Sequence, residues 1–192
     1  LEVSVSFVIT RDNWRESAPT AELAFALGAR TFALSRFCPA GTARDAPHLL
    51  PTPTQVRQAG ERARETCQRL GLSTAAAITV PRCVWADPTA PPLPTGVCSL
   101  MSDRATVTLG PDGSVRSCAL STRTVGNLRD TDWPTLADRL WRLELAPLRA
   151  RLPDECQGCD HGHACRGGCR LAAGSLDALD PLAPGPWQEP SG

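Results

Sequence analysis

Four cysteines lie close together near the end of the chain and could jointly hold a metal. They are Cys156, Cys159, Cys165 and Cys169, with the spacing C-x2-C-x5-C-x3-C. Glycines and polar residues fill the gaps, so this segment cannot pack an apolar core of its own. Thiolates bind zinc and iron–sulfur clusters tightly, and C-x2-C lets two sulfurs from one turn reach the same metal. The run therefore predicts a metal centre, and its spacing alone leaves zinc and iron–sulfur open.

Composition argues against several other classes of function. The chain has 192 residues, of which 42% are hydrophobic and 21% charged, as is typical of one large or two small globular domains. Its formal net charge of zero argues against nucleic acid or an anionic membrane as the main partner. Neither a membrane helix, which needs roughly 20 apolar residues, nor an export signal is visible. We therefore expect a cytoplasmic protein, in which 9 cysteines favour metal ligation over disulfides.

Residues 1–80 alternate between predicted strands and helices. Residues 1–10 alternate with period two, which predicts a strand with one apolar face and one small, partly polar face. The second face suits either a barrel strand around a ligand or a solvated surface. The elements that follow are a helix at 20–27, a strand at 31–35, a helix from Thr52 or Thr54 to Leu70, and a strand at 75–80. This order is typical of an α/β fold with parallel strands.

A proline-rich break at residues 81–96 separates this part from a second one. There GPDG, at residues 110–113, predicts the turn of a β-hairpin. Asp132 is then the predicted N-cap of a helix. The apolar spacing of that helix is supplied by Leu136, Leu140, Leu143 and Leu148.

Two upstream cysteines extend the metal-binding pattern. Cys98, Gly113 and Cys118 have the spacing C-x14-G-x4-C, and the four-cysteine run follows after a gap. Together with VGN at 125–127 and a W-P-x-L helix start, this string resembles the SPASM auxiliary-cluster domain of radical S-adenosylmethionine (SAM) enzymes. Many of those enzymes modify ribosomally made peptides. Upstream, residues 3–13 and Leu27–Ala43 are similar to the last strands of that family's partial barrel.

The resemblance implies an α/β architecture that covers nearly the whole chain. It comprises the C-terminal strands and helices of a partial TIM-like barrel, followed by a small α+β SPASM domain with a β-hairpin, a helix and cysteine-rich loops. The implied parts are the end of the radical SAM barrel at 1–82, a linker at 83–97, the auxiliary iron–sulfur domain at 98–180 and a flexible tail at 181–192.

The resemblance also implies the metal ligands. The first auxiliary cluster would be held by Cys98, Cys118 and Cys169, with Cys83 as the candidate for a fourth ligand. The second would be held by Cys156, Cys159 and Cys165. The family usually adds a cysteine in a context like D-P-x-C, where this chain has Ala183, which leaves Asp177, Asp180 or a substrate atom as alternatives.

The remaining metal-capable side chains favour plainer interpretations. Cys38 and Cys67 are predicted to be ordinary thiols, because Cys67 shares the apolar stripe of its helix. His161 and His163 are predicted to be exposed loop residues. Arg36, at the end of a predicted strand, could face a SAM carboxylate or a peptide, or form a surface or interdomain salt bridge.

The function implied is that of part of a radical SAM enzyme, which cleaves SAM and forms a new bond in a peptide or protein by radical chemistry. Because the C-x3-C-x2-C motif of the SAM-cleaving cluster is absent from this sequence, we expect the chain to need an N-terminal radical SAM segment as partner. The expected cofactors are iron–sulfur clusters of the [4Fe–4S] type, with SAM in the intact enzyme. The alternative is a non-catalytic zinc module that recognises a peptide or stabilises an assembly.

Overall fold

The computed structural model of the chain describes residues 2–85, 98–102, 105–174 and 178–185. They contain a three-stranded parallel sheet in the first part and a three-stranded antiparallel sheet in the second. The predicted α/β class is confirmed. Across these residues, no helix combines the length and the apolar character that crossing a membrane requires.

The parallel sheet is formed by alternating strands and helices. Its strands, in spatial order, are β1 (Ser4–Ile9), β2 (Thr31–Arg36) and β3 (Ser73–Ala76). The connecting helices are α1 (Ser17–Ala26) and α2 (Pro53–Leu70). The third strand lies earlier than the predicted 75–80, because Ser73 pairs with Thr31 at the start of β2 and the pairing ends at Ala76.

Helix α2 is fixed at both ends by its own sequence. The Thr52 hydroxyl accepts a hydrogen bond from the Gln55 N–H, and the Gln55 side chain accepts one from the Thr52 N–H, which makes a capping box. Gly71 ends the helix in the left-handed region, with φ +69°. The predicted stripe is confirmed, since Val56, Ala59, Ala63 and Cys67 are all buried.

Replacing Thr52 by alanine should lower the free energy of unfolding by about 1 kcal/mol, because the cap's side-chain acceptor is lost. Urea unfolding followed by tryptophan fluorescence measures this. Thr54→Ala, at an exposed first-turn position of the same helix, is the matched control and should be close to neutral. Equal losses in the two variants would contradict a capping role for Thr52.

The two faces of the parallel sheet differ sharply. Phe7 and Ile9 of β1 point into the core formed with α1 and α2 and are buried. Ser6 and Val8, on the opposite face, are exposed. The strand register continues that face from Ser6 to Ala33 and from Ala33 to Ala75. One side of the sheet is therefore lined by small residues that helices α1 and α2 do not cover.

The second sheet is the predicted hairpin with one added strand. Its strands, in spatial order, are β4 (Thr108–Leu109), β5 (Ser114–Arg116) and β6 (Gly126–Asn127). Gly113 closes the turn with φ +87°, and a Cβ there would lie 2.5 Å from Asn127 Oδ1. Only glycine therefore fits this turn without a shift.

The helix after the hairpin begins as predicted and then departs from a regular α-helix. Asp132 caps α3 (Trp133–Leu140) by accepting from the Thr135 N–H. A π-helical turn at Trp141–Leu145 separates α3 from α4 (Ala146–Ala150). The wider turn shifts the apolar face by one residue. Leu145 is consequently buried, whereas Leu143, predicted to lie on the apolar side, is 56% exposed.

Segments on either side of the second part pack into the core of the parallel-sheet part. Val84 and Trp85, at the start of the predicted linker, are buried in the same apolar cluster as Phe7 and Ile9. Leu182, in the predicted tail, is also fully buried there. Residues 86–97 and 186–192 of the predicted linker and tail lie outside the described residues. The C-terminal segment is thus packed against the parallel-sheet part.

Candidate metal centres

Eight of the nine cysteines gather in two groups, and all nine are free thiols. We call Cys38, Cys98, Cys118 and Cys169 the first cysteine group. We call Cys83, Cys156, Cys159 and Cys165 the second cysteine group. The ninth, Cys67, is buried within α2, as predicted.

The first cysteine group lies beside a cavity of about 250 Å³, which Cys98, Cys118 and Cys169 line. The interaction between the Cys38 and Cys169 thiols lowers the pKa of Cys169 and raises that of Cys38. The Arg36 charge also lowers the pKa of Cys169. Burial raises the pKa of Cys98. Cys169 therefore becomes a thiolate more readily than Cys38 or Cys98.

Four separate segments carry the first cysteine group. Cys38 comes shortly after β2, and Cys118 comes shortly after β5. Cys98 precedes a 3₁₀ turn at Ser99–Met101. Cys169 caps the short helix α6 (Arg170–Ala173), where the Ala172 N–H also lowers its pKa.

The second cysteine group surrounds a smaller cavity of about 20 Å³, which is also lined by His161 and Ala183. The Arg82 N–H donates to Cys165 Sγ at 3.3 Å. Burial, together with a smaller effect of the neighbouring thiols, raises the pKa of Cys83 to about 12 and that of Cys156 to about 11. These thiols are close enough to act on one another electrostatically, and each must lose a proton to bind a metal.

Short turns hold the second cysteine group. Cys156 ends a 3₁₀ turn that begins at Asp154, and Cys165 ends the one-turn helix α5, which begins at Gly162. The chain then turns back through Arg166 and the next two glycines, all with positive φ. Arg166 is the one described residue other than glycine with positive φ, a conformation that costs energy and is kept only where the surrounding structure fixes it.

Two cysteines differ from the sequence-based assignment. Cys83 lies with Cys156 and Cys165, in the second group, and not with the first group to which it was assigned. Cys38, predicted to be an ordinary thiol, lies against Cys169. Neither placement follows from spacing, because each depends on how distant segments fold together.

Asp180 forms a buried ion pair beside the first cysteine group. Its two carboxylate oxygens accept hydrogen bonds from Arg36 Nη1, at 2.6 and 2.5 Å, and both side chains are fully buried. It also accepts from the N–H groups of Cys169 and Leu182, at 2.7 and 2.9 Å. The interdomain salt bridge considered for Arg36 is thus the one observed. The other acidic alternative, Asp177, lies outside the described residues.

Gly168 allows this carboxylate to approach Cys169. With φ +78°, a Cβ there would lie 2.6 Å from Asp180 Oδ2 and 2.7 Å from Pro81 Cγ. Gly168→Ala should therefore destabilise the chain more than Gly174→Ala, whose φ is +79° but whose Cβ meets nothing within 4 Å. We expect about 1–2 kcal/mol at Gly174 from the backbone alone and about 1–3 kcal/mol more at Gly168 from the contact. Urea unfolding measures both, and equal losses would contradict tight packing at Gly168.

The donor chemistry of both groups fits a thiolate-bound metal or cluster. The cavity at the first group has room for several atoms, whereas the cavity at the second has room for about one water-sized body. Within the described residues, no three His, Cys, Asp or Glu side chains are already arranged around one metal position. Binding therefore requires the side chains of each group to rearrange.

Solved structures share the fold of this chain. Histidine-tagged anSMEcpe with bound AdoMet matches it with a TM-score of 0.62 and 15% identity, over 94% of this chain and 49% of its own. Streptococcus suis SuiB bound to S-adenosylmethionine matches with a TM-score of 0.61 and 13% identity, over 95% of this chain and 45% of its own. No protein-family model matches the chain, and no curated protein does.

At these identities, the likeness shows a shared fold alone. The chain spans about half the length of the solved structures that it matches. Both matched proteins hold S-adenosylmethionine, which AdoMet abbreviates. The fold is therefore one that is found in SAM-binding proteins, and it extends over nearly all of this chain.

Proposed function

We propose that this chain is the auxiliary-cluster part of a radical SAM enzyme that modifies a peptide or protein by radical bond formation. The observation that carries the proposal is the gathering of eight cysteines into two groups where the C-terminal segment meets the parallel-sheet part. The shared fold with two SAM-binding proteins supports it, as does the sequence resemblance to SPASM domains.

The uncovered face of the parallel sheet supports a cofactor-facing role. Parallel sheets are normally covered on both faces, yet here Ser6, Ala33 and Ala75 form a small-residue surface that α1 and α2 leave open. In a partial barrel, this face lines the interior, where small side chains leave space for SAM. We propose that the other strands of that barrel continue the sheet from β1.

The exposed side of α1 supports the same partner. Leu23 and Leu27, four positions apart on and just after this helix, are 59% and 77% exposed. Apolar side chains grouped in this way suit burial against another element. The proposed occupant is the N-terminal radical SAM segment, which would supply the C-x3-C-x2-C motif.

Bound iron–sulfur clusters would supply single-electron transfer. The chain's own residues position the sulfurs: Asp180 orients the backbone at Cys169, and the Arg82 N–H donates to Cys165 Sγ. Hydrogen bonds to ligand sulfur raise the reduction potential of a cluster. The cavity beside the first group, bordered by Arg44 and Arg123, gives a peptide substrate room to approach that group.

The alternative of a zinc module has one observation in its favour. The cavity of the second cysteine group, at about 20 Å³, has room for a single ion but not for a cluster unless the group opens. Structural zinc sites with four cysteines are closed and tetrahedral. A zinc ion at the second group would leave the electron-transfer role to the first.

Anaerobic purification and reconstitution with iron and sulfide test the proposal. We expect a brown protein with about eight iron atoms per chain if both groups hold [4Fe–4S] clusters, or about four iron atoms and one zinc if the second group holds zinc. Iron, zinc and acid-labile sulfide are measured per chain, and the reduced protein is examined by electron paramagnetic resonance (EPR). A colourless protein that binds zinc alone would reject the radical SAM proposal in favour of the zinc module.

A further inference from the structure

The second cysteine group contains one member from outside the cysteine run. Cys83 sits in the 3₁₀ turn Arg82–Val84, which follows the parallel sheet. Cys83 lines the same cavity as the three sulfurs of the run and interacts electrostatically with each of them. Its neighbour Arg82 donates a backbone hydrogen bond to Cys165. This turn is therefore attached directly to the run.

The turn is also anchored in the core of the parallel-sheet part. Val84 and Trp85, next to Cys83, are 2% exposed and belong to the core of the parallel-sheet part. Ala183 lines the same cavity, and its methyl side chain cannot bind a metal. Cys83 thus has a fixed position on the cavity that the three cysteines of the run also line, and it can supply the fourth thiolate that the run lacks there.

The first cysteine group is completed in a similar way. Cys38 is buried shortly after β2, and its sulfur interacts with that of Cys169. The two residues that follow Cys38 line the cavity of the first group. Arg36, two residues earlier, interacts with both sulfurs. Its Nη2 is buried and has no hydrogen-bond partner in the part of the chain that the structure describes. A buried donor of this kind suits a negatively charged acceptor nearby.

We propose that Cys38 and Cys83 are the fourth thiolate ligands of the first and second metal centres. Each thiol releases its proton to solvent when it binds. The inference rests on the proposed function and makes it more specific, because four protein thiolates leave no open coordination position. The two centres then serve electron transfer or structure, and the substrate does not bind to their metal.

Four variants of the full chain test this after anaerobic reconstitution with iron and sulfide. Cys38→Ala and Cys83→Ser remove the proposed ligands, Cys67→Ala removes a thiol that is buried in α2, and His161→Ala removes the competing side chain at the second cavity. Iron, zinc and sulfide per chain and the EPR spectrum are the readouts. Circular dichroism checks folding, with Cys38→Ser as the second variant if Cys38→Ala does not fold.

We expect Cys38→Ala and Cys83→Ser each to remove the metal of one centre, which halves the iron content if both centres hold clusters, and to leave the EPR signal of the other centre intact. Conversion of one [4Fe–4S] cluster to a three-iron cluster would equally support the loss of a ligand. Cys67→Ala and His161→Ala should match the wild-type chain. The inference is overturned for either ligand if its variant retains wild-type metal content and spectra. It is also overturned for Cys83 if His161→Ala loses the metal of the second centre and Cys83→Ser does not.

A mutation-free measurement adds a check at the second centre. In the wild-type chain, cysteine alkylation mapped by mass spectrometry should protect Cys83 as fully as Cys156 when the metal is loaded, and leave both reactive when it is removed. Reactive Cys83 beside protected Cys156 in the loaded chain would reject its ligand role. If the wild-type chain binds no metal, the proposed function itself fails, which separates the two outcomes.

Discussion

Asp180→Asn should lower the free energy of unfolding by about 3–5 kcal/mol, because it leaves the Arg36 charge buried without its partner. Both side chains of this pair are completely shielded from solvent. The same carboxylate accepts the backbone N–H groups of Cys169 and Leu182, so its loss also releases the end of the cysteine run. Urea unfolding followed by tryptophan fluorescence measures the change.

Two further variants separate this effect from a general loss of charge. Glu22→Gln removes an ion pair with Arg69 whose side chains are 55% and 60% exposed, and it should cost no more than about 1 kcal/mol. Adding Arg36→Met to Asp180→Asn removes the unpaired charge and should restore part of the lost stability. A loss for Asp180→Asn no larger than that for Glu22→Gln would contradict this account of the pair.

Removing metal should selectively loosen the cysteine run while leaving the parallel sheet folded. Residues 154–174 form only short turns and one-turn helices. Under the proposed function, ligation stabilises this geometry, and in small sites it supplies free energy on the order of 10 kcal/mol. Helix α2, in contrast, is stabilised by its caps and its buried stripe. Chelation should thus raise exchange in the run and leave α2 protected.

Hydrogen–deuterium exchange with mass spectrometry measures this, on metal-loaded and chelated samples of the same chain. Peptides from 154–174 report on the run, and peptides from 53–70 serve as the internal control. Equal protection of the run in both samples would show that packing and the Arg36–Asp180 pair hold it without metal. Loss of protection in both regions would show that metal binding and global folding are coupled.

Local patterns in the sequence predicted the elements that depend on near neighbours. A few adjacent residues were enough to predict the bounds of α2, its buried stripe through Cys67 and the hairpin turn that ends at Gly113. The cysteine run indicated metal chemistry because its spacing is local. These features are specified within one or two turns of chain.

The features that sequence reasoning missed depend on tertiary contacts. Cys38 was predicted to be an ordinary thiol, and Cys83 was considered only for the first cluster. Both are isolated in sequence and meet the other cysteines only through folding. Leu145 replaces Leu143 in the core because a π-helical turn shifts the helix face, a choice made by packing. Arg36 could be matched to Asp180 only once the C-terminal segment was seen to return to the parallel sheet.

The separation between Arg36 and Asp180 constrains the order of events during synthesis. The two residues are 144 positions apart, and chains emerge from the ribosome N-terminus first. Until the aspartate emerges, the nascent sheet carries an arginine that must stay hydrated, so its carboxyl end cannot close. If Cys38 is a ligand, as proposed, the first metal centre closes only after Asp180 has been synthesised, because the buried arginine two residues before Cys38 pairs with that aspartate.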